Sequence, residues 1–219
     1  MRPACHGIRR VGTTETPTVF IVDDDASVRA ALARLVRRAG WNAEACASAR
    51  EFIERYDPAQ PGCLVLDVSM PEVDGLELQE QLRELGDPLP IVFLTGHADV
   101  AMSVAAMRAG AVNFLTKPAH GKDLVDAVGE AMARDAEERR ERAAHERARA
   151  RLASLSTRER EVLERVVAGR LNKQIAAELG AAEKTIKVHR ARVMEKMAAA
   201  SLAELVRLAE LAGVSPTPE

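Results

Sequence analysis

Polar side chains follow four of the apolar runs in the front half of the chain, and together their types could carry phosphoryl-group chemistry. The acidic run Asp23–Asp25 follows the first of these runs, and Asp67 follows the third. Thr95 follows the fourth, and Lys117 follows the fifth. Converging carboxylates repel one another, and Mg²⁺, which prefers oxygen ligands, would offset that repulsion. The hydroxyl and the ammonium group could then hold an anion beside the metal, such as a phosphoryl group on a carboxylate.

Each of these residues has an ordinary structural interpretation when it is taken alone. An acidic run after a strand is more often a turn or a helix cap than a metal site. A single threonine there is usually a hydroxyl with a local hydrogen-bond partner, and Lys117 followed by Pro118 is typical of a loop. The hypothesis of a site therefore depends on the four positions occurring together, at the ends of four different strands.

Short apolar runs alternate with helical patterns over residues 18–122. Strands are predicted at 19–22, 41–45, 63–66, 91–94 and 111–115, and helices at 27–39, 48–55, 74–85, 98–109 and from 121 onward. Continuous apolar runs are typical of strands that are buried on both faces of a parallel sheet. The front half is therefore predicted to be a doubly wound α/β domain with a five-stranded parallel sheet. In that fold, ligands bind at the carboxyl ends of the strands, where the polar residues are predicted.

Composition limits the class of protein. The chain has 219 residues, of which 47% are hydrophobic and 29% are charged, and this excludes a mainly disordered chain. The aromatic content of 3% disfavours recognition of single strands by stacking. Residues 18–122 carry 10 Lys and Arg against 15 Asp and Glu, whereas residues 152–212 carry 11 against 8. The two parts are therefore expected to have different partners.

The remaining bulk features point to an intracellular protein. No apolar run is long enough to cross a membrane, and residues 1–17 lack the apolar core of a signal peptide. We therefore expect a soluble, cytoplasmic protein with a disordered tail at 1–17. The three cysteines, Cys5, Cys46 and Cys63, form no CxxC pair and are expected to be buried or incidental thiols.

Four stretches of the front half resemble the receiver domain of two-component systems. They are Val22-Asp-Asp-Asp25, Leu66-Asp-Val-Ser-Met-Pro-Glu-Val-Asp-Gly75, Phe93-Leu-Thr-Gly-His97 and Gly110-Ala-Val-Asn-Phe-Leu-Thr-Lys-Pro118. The resemblance implies that Asp67 accepts a phosphoryl group. It also implies a Mg²⁺ site in which Asp24 binds directly and Asp23 binds through water. Asp67 and the backbone carbonyl group of Ser69 would complete the metal shell.

The same resemblance implies roles for the residues around the phosphoacceptor. Thr95 and Phe114 would be the switch residues. Lys117 would form an ion pair with the phosphoryl oxygens, so that Asp67, Thr95 and Lys117 make up the reactive set. The peptide bond between Lys117 and Pro118 is expected to be cis.

Residues 122–152 keep a helical pattern but become rich in Ala, Arg and Glu. Opposite charges four residues apart, as in Glu130–Arg134 and Glu138–Arg142, support an exposed helix. A coiled-coil dimer seam is the alternative, but no apolar heptad continues beyond Met132. We therefore interpret 134–152 as a charged, solvated linker helix.

Four short helical patterns occupy the back of the chain, and two of them begin at capping boxes. The two boxes are Ser156 with Glu159 and Ser201 with Glu204. The middle two patterns, 172–179 and 182–197, are joined by a tight turn that contains a glycine. This arrangement predicts an all-α helix-turn-helix domain of four helices.

The third of these helices has two different faces. One face is apolar and is expected to pack in the core: Ile186, Val193 and Met197. The opposite face is mainly basic: Lys184, Lys187, Val188 and Ala191. A basic helix with a short apolar strip suits the major groove of DNA, although an ordinary solvated face would have similar charges. His189 is expected to pack or to face a phosphate rather than to bind a metal.

Three stretches of this segment resemble the LuxR-type DNA-binding domain. They are Leu155-Ser-Thr-Arg-Glu-Arg-Glu-Val-Leu163, Gly169-Arg-Leu-Asn-Lys-Gln-Ile-Ala176 and Lys184-Thr-Ile-Lys-Val-His-Arg190. The resemblance implies base contacts from Lys187, Val188 and Ala191, with Lys184 on the same face. It implies phosphate contacts from four residues: Lys173, Thr185, Arg190 and Lys196. Ala181 and Ala182 stand where relatives have a serine cap, which predicts a less stable start of the recognition helix.

Residues 18–212 as a whole resemble a response regulator of the FixJ/NarL type. The predicted organisation is a tail at 1–17, a receiver domain at 18–133, a linker at 134–152, a DNA-binding domain at 153–213 and a tail at 214–219. The resemblance implies that a sensor histidine kinase phosphorylates Asp67 with Mg²⁺, and that the protein then dimerises and binds promoter DNA, with RNA polymerase as a further partner.

Two other functions are compatible with the sequence. One is a DNA-binding regulator whose receiver serves only for dimerisation and does not depend on phosphate. The other is an aspartyl-phosphate phosphatase, which is disfavoured because no insert interrupts the predicted sheet and a DNA-binding segment follows it. We expect no enzyme beyond the receiver's own phosphoryl acceptance and slow autodephosphorylation.

Overall fold

The computed structural model describes residues 16–86, 89–96 and 100–214. The chain divides into two compact units, Met1–Glu137 and Glu138–Glu219. The predicted tails at 1–17 and 214–219 lie outside the described residues, apart from Thr16, Pro17 and Val214. Among the described helices, none is both long enough and apolar enough to span a membrane.

The first unit contains a five-stranded parallel sheet in the order β2-β1-β3-β4-β5. The strands are β1 (Thr18–Val22), β2 (Asn42–Cys46), β3 (Gly62–Leu66), β4 (Ile91–Thr95) and β5 (Asn113–Thr116). All residues of β1, β3 and β4 are buried, which explains their continuous apolar sequence. The predicted five-stranded sheet is therefore confirmed.

The last strand starts two residues later than predicted. The amide of Ala111 donates to the carbonyl of Ala106 in the preceding helix, and Gly110 between them has a φ of 97°. Ala111 and Val112 are buried, but this part of the chain is still leaving the helix. An apolar pattern cannot distinguish such a buried approach from a strand.

In the described part of the first unit, five helices are associated with this sheet and cover both of its faces. They are α1 (Ala26–Arg38), α2 (Ala49–Arg55), α3 (Gly75–Glu84), α4 (Val100–Arg108) and α5 (Gly121–Ala153). Alternate residues of β1 face two different cores: Val19 and Ile21 pack with α1 and α5, whereas Phe20 and Val22 pack with α2, α3 and α4. The unit is thus doubly wound, as predicted.

The second unit is helical and has one apolar core. Its helices are α6 (Thr157–Val167), α7 (Asn172–Glu178), α8 (Glu183–Met197) and α9 (Leu202–Leu211). Fully buried side chains from all four helices meet in this core: Leu163, Ile175, Ile186, Met197 and Leu205. Gly180, with a φ of 60°, makes the tight turn between α7 and α8. The predicted helix-turn-helix arrangement is confirmed.

The capping boxes form to different extents. Ser156 and Glu159 make both reciprocal hydrogen bonds at the start of α6. At α9, the Ser201 hydroxyl accepts from the Glu204 amide, but the Glu204 carboxylate accepts from the amide of Ala200. The second predicted box is therefore only half formed, because the carboxylate reaches one residue further back.

The segment predicted as a solvated linker lies inside α5 and differs from that expectation at three positions. Asp135 is buried, and its carboxylate accepts a hydrogen bond from the amide of Gly62 at 2.9 Å. Ala148 and Leu152 are also buried, and Leu152 belongs to the core of the second unit. A helix face that is apolar at only two positions, four residues apart, is too short to be recognised in a charged sequence.

Two of the three cysteines lie in the described part of the chain, and both are buried free thiols, as expected. They are Cys46 and Cys63. Burial raises the pKa of the Cys63 thiol to about 12. Cys5 lies outside the described residues.

Candidate functional site

The carboxyl ends of β1 and β3 bring the predicted acidic residues together. Val22 and Leu66 are paired in register, so Asp23 and Asp67 leave the sheet side by side. The amide of Asp67 donates to the carbonyl of Val22 at 2.8 Å. Carboxylate oxygens of Asp23, Asp24 and Asp67 all lie within 4.8 Å of one another. Asp23 and Asp67 are buried, whereas Asp24 is exposed to solvent.

Lys117 bridges two of these carboxylates. Its ammonium group donates to Asp23 Oδ2 and to Asp67 Oδ2, and both distances are 2.6 Å. Partial burial alone would lower the pKa of Lys117, but the hydrogen bonds and charges of the two aspartates raise it above its ordinary value. The amide of Lys117 donates to the carbonyl of Thr95, and the bond to Pro118 is cis, as expected. The position directly after β5 therefore places a cation beside the acidic residues.

The loop that carries Asp67 depends on a glycine that the sequence analysis did not single out. A Cβ atom added to Gly75 would lie 2.4 Å from the backbone oxygen of Asp67. The absence of a side chain at Gly75 lets the start of α3 approach this loop closely. The amide of Ser69 also donates to Asp67 Oδ1 at 3.2 Å. The only sequence signal for this role was a glycine in the first turn of a predicted helix, next to the cap residue Asp74.

The loop that carries Asp23 and Asp24 is held by α1. Asp25 caps the helix by accepting hydrogen bonds from the amides of Ser27 and Val28. One guanidinium nitrogen of Arg29 donates to the carbonyl of Asp23 at 2.6 Å. The sequence does not predict this role of Arg29, because no local pattern relates a helix arginine to a carbonyl group six residues earlier.

The two predicted switch residues lie on neighbouring strands. Thr95 ends β4 and is fully buried. Phe114 on β5 pairs in register with Phe93 of β4, and their ring centroids are 5.9 Å apart. Phe114 is half-buried and packs against the core that α2, α3 and α4 share with the sheet.

The donor set fits a hard divalent cation. Three carboxylates provide oxygen ligands without sulfur or nitrogen, which is the ligand type that Mg²⁺ and Ca²⁺ prefer. Among the described residues, this is the only group of three or more His, Cys, Asp or Glu side chains that lie close enough to hold a metal ion together. The acidic residues could therefore bind a metal ion.

The second predicted site lies on α8. The exposed residues of this helix include Lys184, Thr185, Lys187, Val188 and Ala191. Val188 is apolar and yet 47% exposed, whereas Ile186, Val193 and Met197 are fully buried. Lys173 on α7 is also exposed. The predicted separation of a core face from a basic face is therefore present in the fold.

Two of the residues expected to contact phosphate already have protein partners. Lys196 donates to Glu159 Oε2 at 2.6 Å and to the carbonyl of Ser154 at 3.2 Å. Arg190 donates to Asn172 Oδ1 at 3.1 Å. A phosphate contact by Lys196 would have to share its ammonium group with a buried carboxylate, so this role stays a prediction while the ion pair supplies a structural role.

Glu159 is held as an anion by that pair. The hydrogen bond from Lys196, together with those from Ser156, lowers the pKa of Glu159 to about 2, although burial acts in the opposite direction. The interaction joins the start of α6 to the last turn of α8. It therefore fixes the end of the helix that was predicted to read DNA.

His189 is half-buried on α8, and its Nδ1 atom is buried without a hydrogen-bond partner among the described residues. It does not belong to the group of metal-ligating side chains. The ring is therefore partly packed, and a phosphate-facing role for His189 stays a prediction.

Two known families match the chain. Residues 19–129 match the family described as "Response regulator receiver domain". Residues 153–209 match the family described as "Bacterial regulatory proteins, luxR family". The chain belongs to the response regulator family.

Relatives of this response regulator are similar to it over almost their whole length. Nodulation protein W of Bradyrhizobium diazoefficiens is 44% identical, and the match covers 93% of this chain and 91% of that protein. Response regulator protein TodT of Pseudomonas putida is 41% identical, and the match covers 95% of this chain and 91% of that protein. Transcriptional regulatory protein FixJ of Azorhizobium caulinodans is 43% identical, and the match covers 94% of this chain and 97% of that protein.

Solved structures are similar as well. The low-resolution structure of the response regulator StyR is 48% identical, with a TM-score of 0.83, and the match covers 89% of this chain and 98% of that one. The structure of full-length FixJ from B. japonicum is 41% identical, with a TM-score of 0.56, and the match covers 91% of this chain and 98% of that one. A receiver domain followed by a LuxR-type DNA-binding domain makes this response regulator a transcription regulator, with a histidine kinase and DNA as the partners that the two domains imply.

Proposed function

We propose that this response regulator is switched by phosphorylation of Asp67. The observation that carries the proposal is the bridge that Lys117 makes between Asp67 and Asp23, at an edge of the sheet where three carboxylates meet. A lysine at 2.6 Å from the acceptor carboxylate can neutralise oxygens of an incoming phosphoryl group. Thr95 and Phe114 would then act as the switch.

The transfer requires little covalent chemistry from the protein. A carboxylate oxygen of Asp67 attacks the phosphorus atom of a phosphohistidine, the phosphorus–nitrogen bond breaks, and the histidine of the kinase keeps the bonding electron pair. Asp23, Asp24, Asp67 and the Ser69 carbonyl would hold Mg²⁺. When bound, this ion supplies charge neutralisation for the phosphoryl oxygens. Lys117 supplies the remaining positive charge. We expect no reaction beyond this transfer and the slow hydrolysis of the resulting aspartyl phosphate, in which water attacks phosphorus and the Asp67 carboxylate leaves.

Phosphorylation is proposed to produce a dimer through α4. Val100, Val104 and Met107 form an apolar stripe on this helix with exposures of 81%, 41% and 46%. These residues are spaced by four and three positions and therefore lie on one helix face. An exposed stripe of this kind fits a second copy of the same chain, because a two-fold interface pairs the same patch on both subunits.

The dimer is proposed to bind a two-fold symmetric promoter site in the cytoplasm and to act with RNA polymerase. Lys187, Val188 and Ala191 on the exposed face of α8 would approach base edges, with Lys184 beside them. Lys173, Thr185 and Arg190 would approach phosphates, which position the protein but carry no sequence information. Val188 supports this proposal, since an exposed apolar side chain among cations suits a thymine methyl group.

The test follows mass, oligomeric state and DNA binding after addition of Mg²⁺ and acetyl phosphate. The wild-type chain should gain one phosphoryl group and form a dimer, and Asp67→Asn should do neither. Asp57→Asn is the matched control, because Asp57 is an exposed carboxylate that precedes β3 and so lies toward the opposite edge of the sheet.

Two results would contradict the proposal. No mass gain in the wild type, combined with tight DNA binding, would favour the regulator whose receiver serves only for dimerisation. A mass gain in Asp67→Asn equal to that of the wild type would place the phosphoryl group on another residue.

A further inference from the structure

We propose that Arg29 is a positioning residue for the metal-binding loop, and that its guanidinium group fixes the peptide plane from which Asp24 projects. This inference rests on the proposed function, because it concerns Mg²⁺ at the same carboxylates. Arg29 does not touch the metal or the phosphoryl group in this scheme. It acts through the backbone of Asp23.

The contact is short and charge-assisted. One terminal guanidinium nitrogen of Arg29 donates to the carbonyl oxygen of Asp23 at 2.6 Å, in a partly buried position. Hydrogen bonds with an ionised donor are stronger than neutral ones, and a partly buried one is less weakened by solvent. The carbonyl that accepts this bond belongs to the peptide unit that links Asp23 to Asp24. Arg29 therefore restrains the orientation of both residues.

The two acidic residues differ in how their carboxylates are held. Asp23 accepts from the amide of Asp25 at 2.9 Å through Oδ1 and from Lys117 at 2.6 Å through Oδ2. For the Asp24 carboxylate, no hydrogen bond or ion pair is found in the described part of the chain, and it is exposed. The direction of this ligand is therefore set by the backbone on either side. On one side that backbone is held by Arg29, and on the other by the Asp25 cap of α1.

The position of Arg29 in the helix is electrostatically unusual. It is the fourth residue of α1, whose first turn contains no acidic residue. A cation near a helix N-terminus is disfavoured by the helix dipole, whereas Arg37 and Arg38 in the last turn are favoured. The hydrogen bond to the Asp23 carbonyl offsets this cost at Arg29. A residue that breaks a local rule beside a candidate site is expected to serve that site.

A purely structural role predicts a different result from a positioning role. If Arg29 only stabilised the fold, its loss would lower stability without a selective effect on Mg²⁺. If it positions Asp24, its loss weakens Mg²⁺ binding in the folded protein, while the rate at saturating Mg²⁺ is retained because Asp67 and Lys117 are intact. Replacing groups that orient metal ligands commonly costs 10–100-fold in metal affinity.

The experiment compares the full-length wild type with Arg29→Gln, Arg29→Lys and Arg34→Gln. Arg34→Gln is the matched control, since it removes the same charge from an exposed position on the same helix. The first readout is the rise in Tm as Mg²⁺ is added without a phosphodonor, which reports binding alone. The second is the dependence of Asp67 phosphorylation by acetyl phosphate on Mg²⁺ concentration, analysed as a half-saturating concentration and a limiting rate.

For Arg29→Gln we expect a half-saturating Mg²⁺ concentration raised about tenfold or more and a limiting rate within about twofold of the wild type. Arg29→Lys should recover part of the loss, and Arg34→Gln should match the wild type in both readouts. An Arg29→Gln protein with wild-type Mg²⁺ dependence would overturn the inference and leave the proposed function intact. A wild type that shows no Mg²⁺ effect in either readout would overturn the metal role in the proposed function, and this inference with it.

Arg29→Gln is also compared with the wild type at equal folded fraction, by setting the temperature relative to the Tm of each protein in EDTA. A shift in Mg²⁺ dependence that disappears under this condition would show that only stability had changed, and would overturn the positioning role. A shift that persists supports it. If Arg29→Gln does not fold, the comparison uses Arg29→Lys, which keeps the charge but loses the planar donor group. Its half-saturating Mg²⁺ concentration should then be higher than that of Arg34→Gln, and equal values in the two variants would overturn the inference.

Discussion

The ammonium group of Lys117 compensates the negative charge of Asp23 and Asp67 even without a bound metal ion. Asp23 and Asp67 each direct one carboxylate oxygen to its ammonium group, and both carboxylates are buried. Removing one partner of such a pair leaves a buried charge without compensation, which is strongly destabilising. The same ammonium group is within reach of any group attached to Asp67. A single lysine therefore serves stability in the unmodified protein and charge neutralisation in the proposed transfer.

The close approach at Gly75 predicts that a single methyl group disrupts the acceptor loop. Gly75→Ala should lower the free energy of unfolding of the first unit by about 1–3 kcal/mol, since the added Cβ cannot avoid the Asp67 backbone oxygen. It should also slow phosphorylation of Asp67. The single tryptophan, Trp41, packs against a core of this unit and reports its unfolding in urea.

Gly129→Ala is the control for this substitution. Gly129 lies inside α5, and an added Cβ would meet only the Trp41 ring at 3.9 Å. This change should raise stability by about 0.5–1 kcal/mol through helix propensity. Equal effects of the two substitutions would contradict the steric explanation.

The lowered pKa of Glu159 predicts that the stability of the second unit depends on pH. Its pKa of about 2 in the folded state lies below the ordinary value of 4.5, so its contribution to stability is fully present above about pH 4.5 and is lost as the pH falls towards 2. The stability difference between wild type and Glu159→Gln should therefore be largest at neutral pH and vanish near pH 2. Amide exchange of α6 and α8, measured between pH 7 and pH 2, provides the comparison.

Glu164→Gln is the control for this pH series. Glu164 is an exposed residue of the same helix, so its replacement should leave amide exchange close to that of the wild type at every pH. A Glu159→Gln difference that does not change with pH would mean that the ion pair with Lys196 contributes nothing.

At the scale of elements, α8 combines a well-anchored end with a weakly capped start. Its last turn is tied to α6 through Lys196 and Glu159. Its N-cap residue, Ala182, has extended backbone geometry but offers no side-chain acceptor. The first turn therefore leaves backbone amides without the usual cap. This turn carries Lys184 and Thr185, so its order bears directly on the proposed DNA contacts.

Adding the missing cap should stabilise this helix. Ala182→Ser is expected to add about 1 kcal/mol, because the hydroxyl can accept from an amide of the first turn. Slower exchange of the α8 amides would report the gain, and DNA affinity should not fall. Ala181→Ser, one residue earlier, should have no such effect. Unchanged exchange in Ala182→Ser would mean that solvent already satisfies these amides.

At the scale of the whole molecule, two units with separate cores carry the two parts of the proposed function. Acidic residues dominate 18–122, where a cation and a phosphoryl group are expected, and basic residues dominate 152–212, where DNA is expected. This separation follows from the chemistry of the ligands, since each domain needs a charge opposite to that of its partner. Because the two parts carry charges of opposite sign, the net charge of −2 does not indicate the partner of either domain.

The oligomeric state provides the prediction at this scale. Val104→Arg should reduce phosphorylation-dependent dimer formation at least about tenfold without preventing phosphorylation, since a charge in an apolar interface is costly to desolvate. Analytical ultracentrifugation after treatment with acetyl phosphate measures this. Leu85→Arg is the control, because Leu85 is 75% exposed at the end of α3 and not on the stripe. A Val104→Arg protein that dimerises normally would exclude the α4 stripe as the interface.

Several features of this protein were determined by its sequence alone, because they depend on local patterns. Continuous apolar runs identified β1, β3 and β4, the three strands that are buried throughout. The residue types at the strand ends placed Asp67, Thr95 and Lys117 at one edge of the sheet. The faces of α8 followed in the same way from helical periodicity. These predictions needed only the direction of side chains within one element.

Other features were decided only by the tertiary structure. The strand order places β1 beside β3 and so brings Asp23 next to Asp67. The close approach of Gly75, the hold of Arg29 on the Asp23 carbonyl and the burial of Asp135 each join parts of the chain that no local pattern relates. The physical reason is that periodicity defines the face on which a residue lies, whereas only the packing of elements defines which group it meets there.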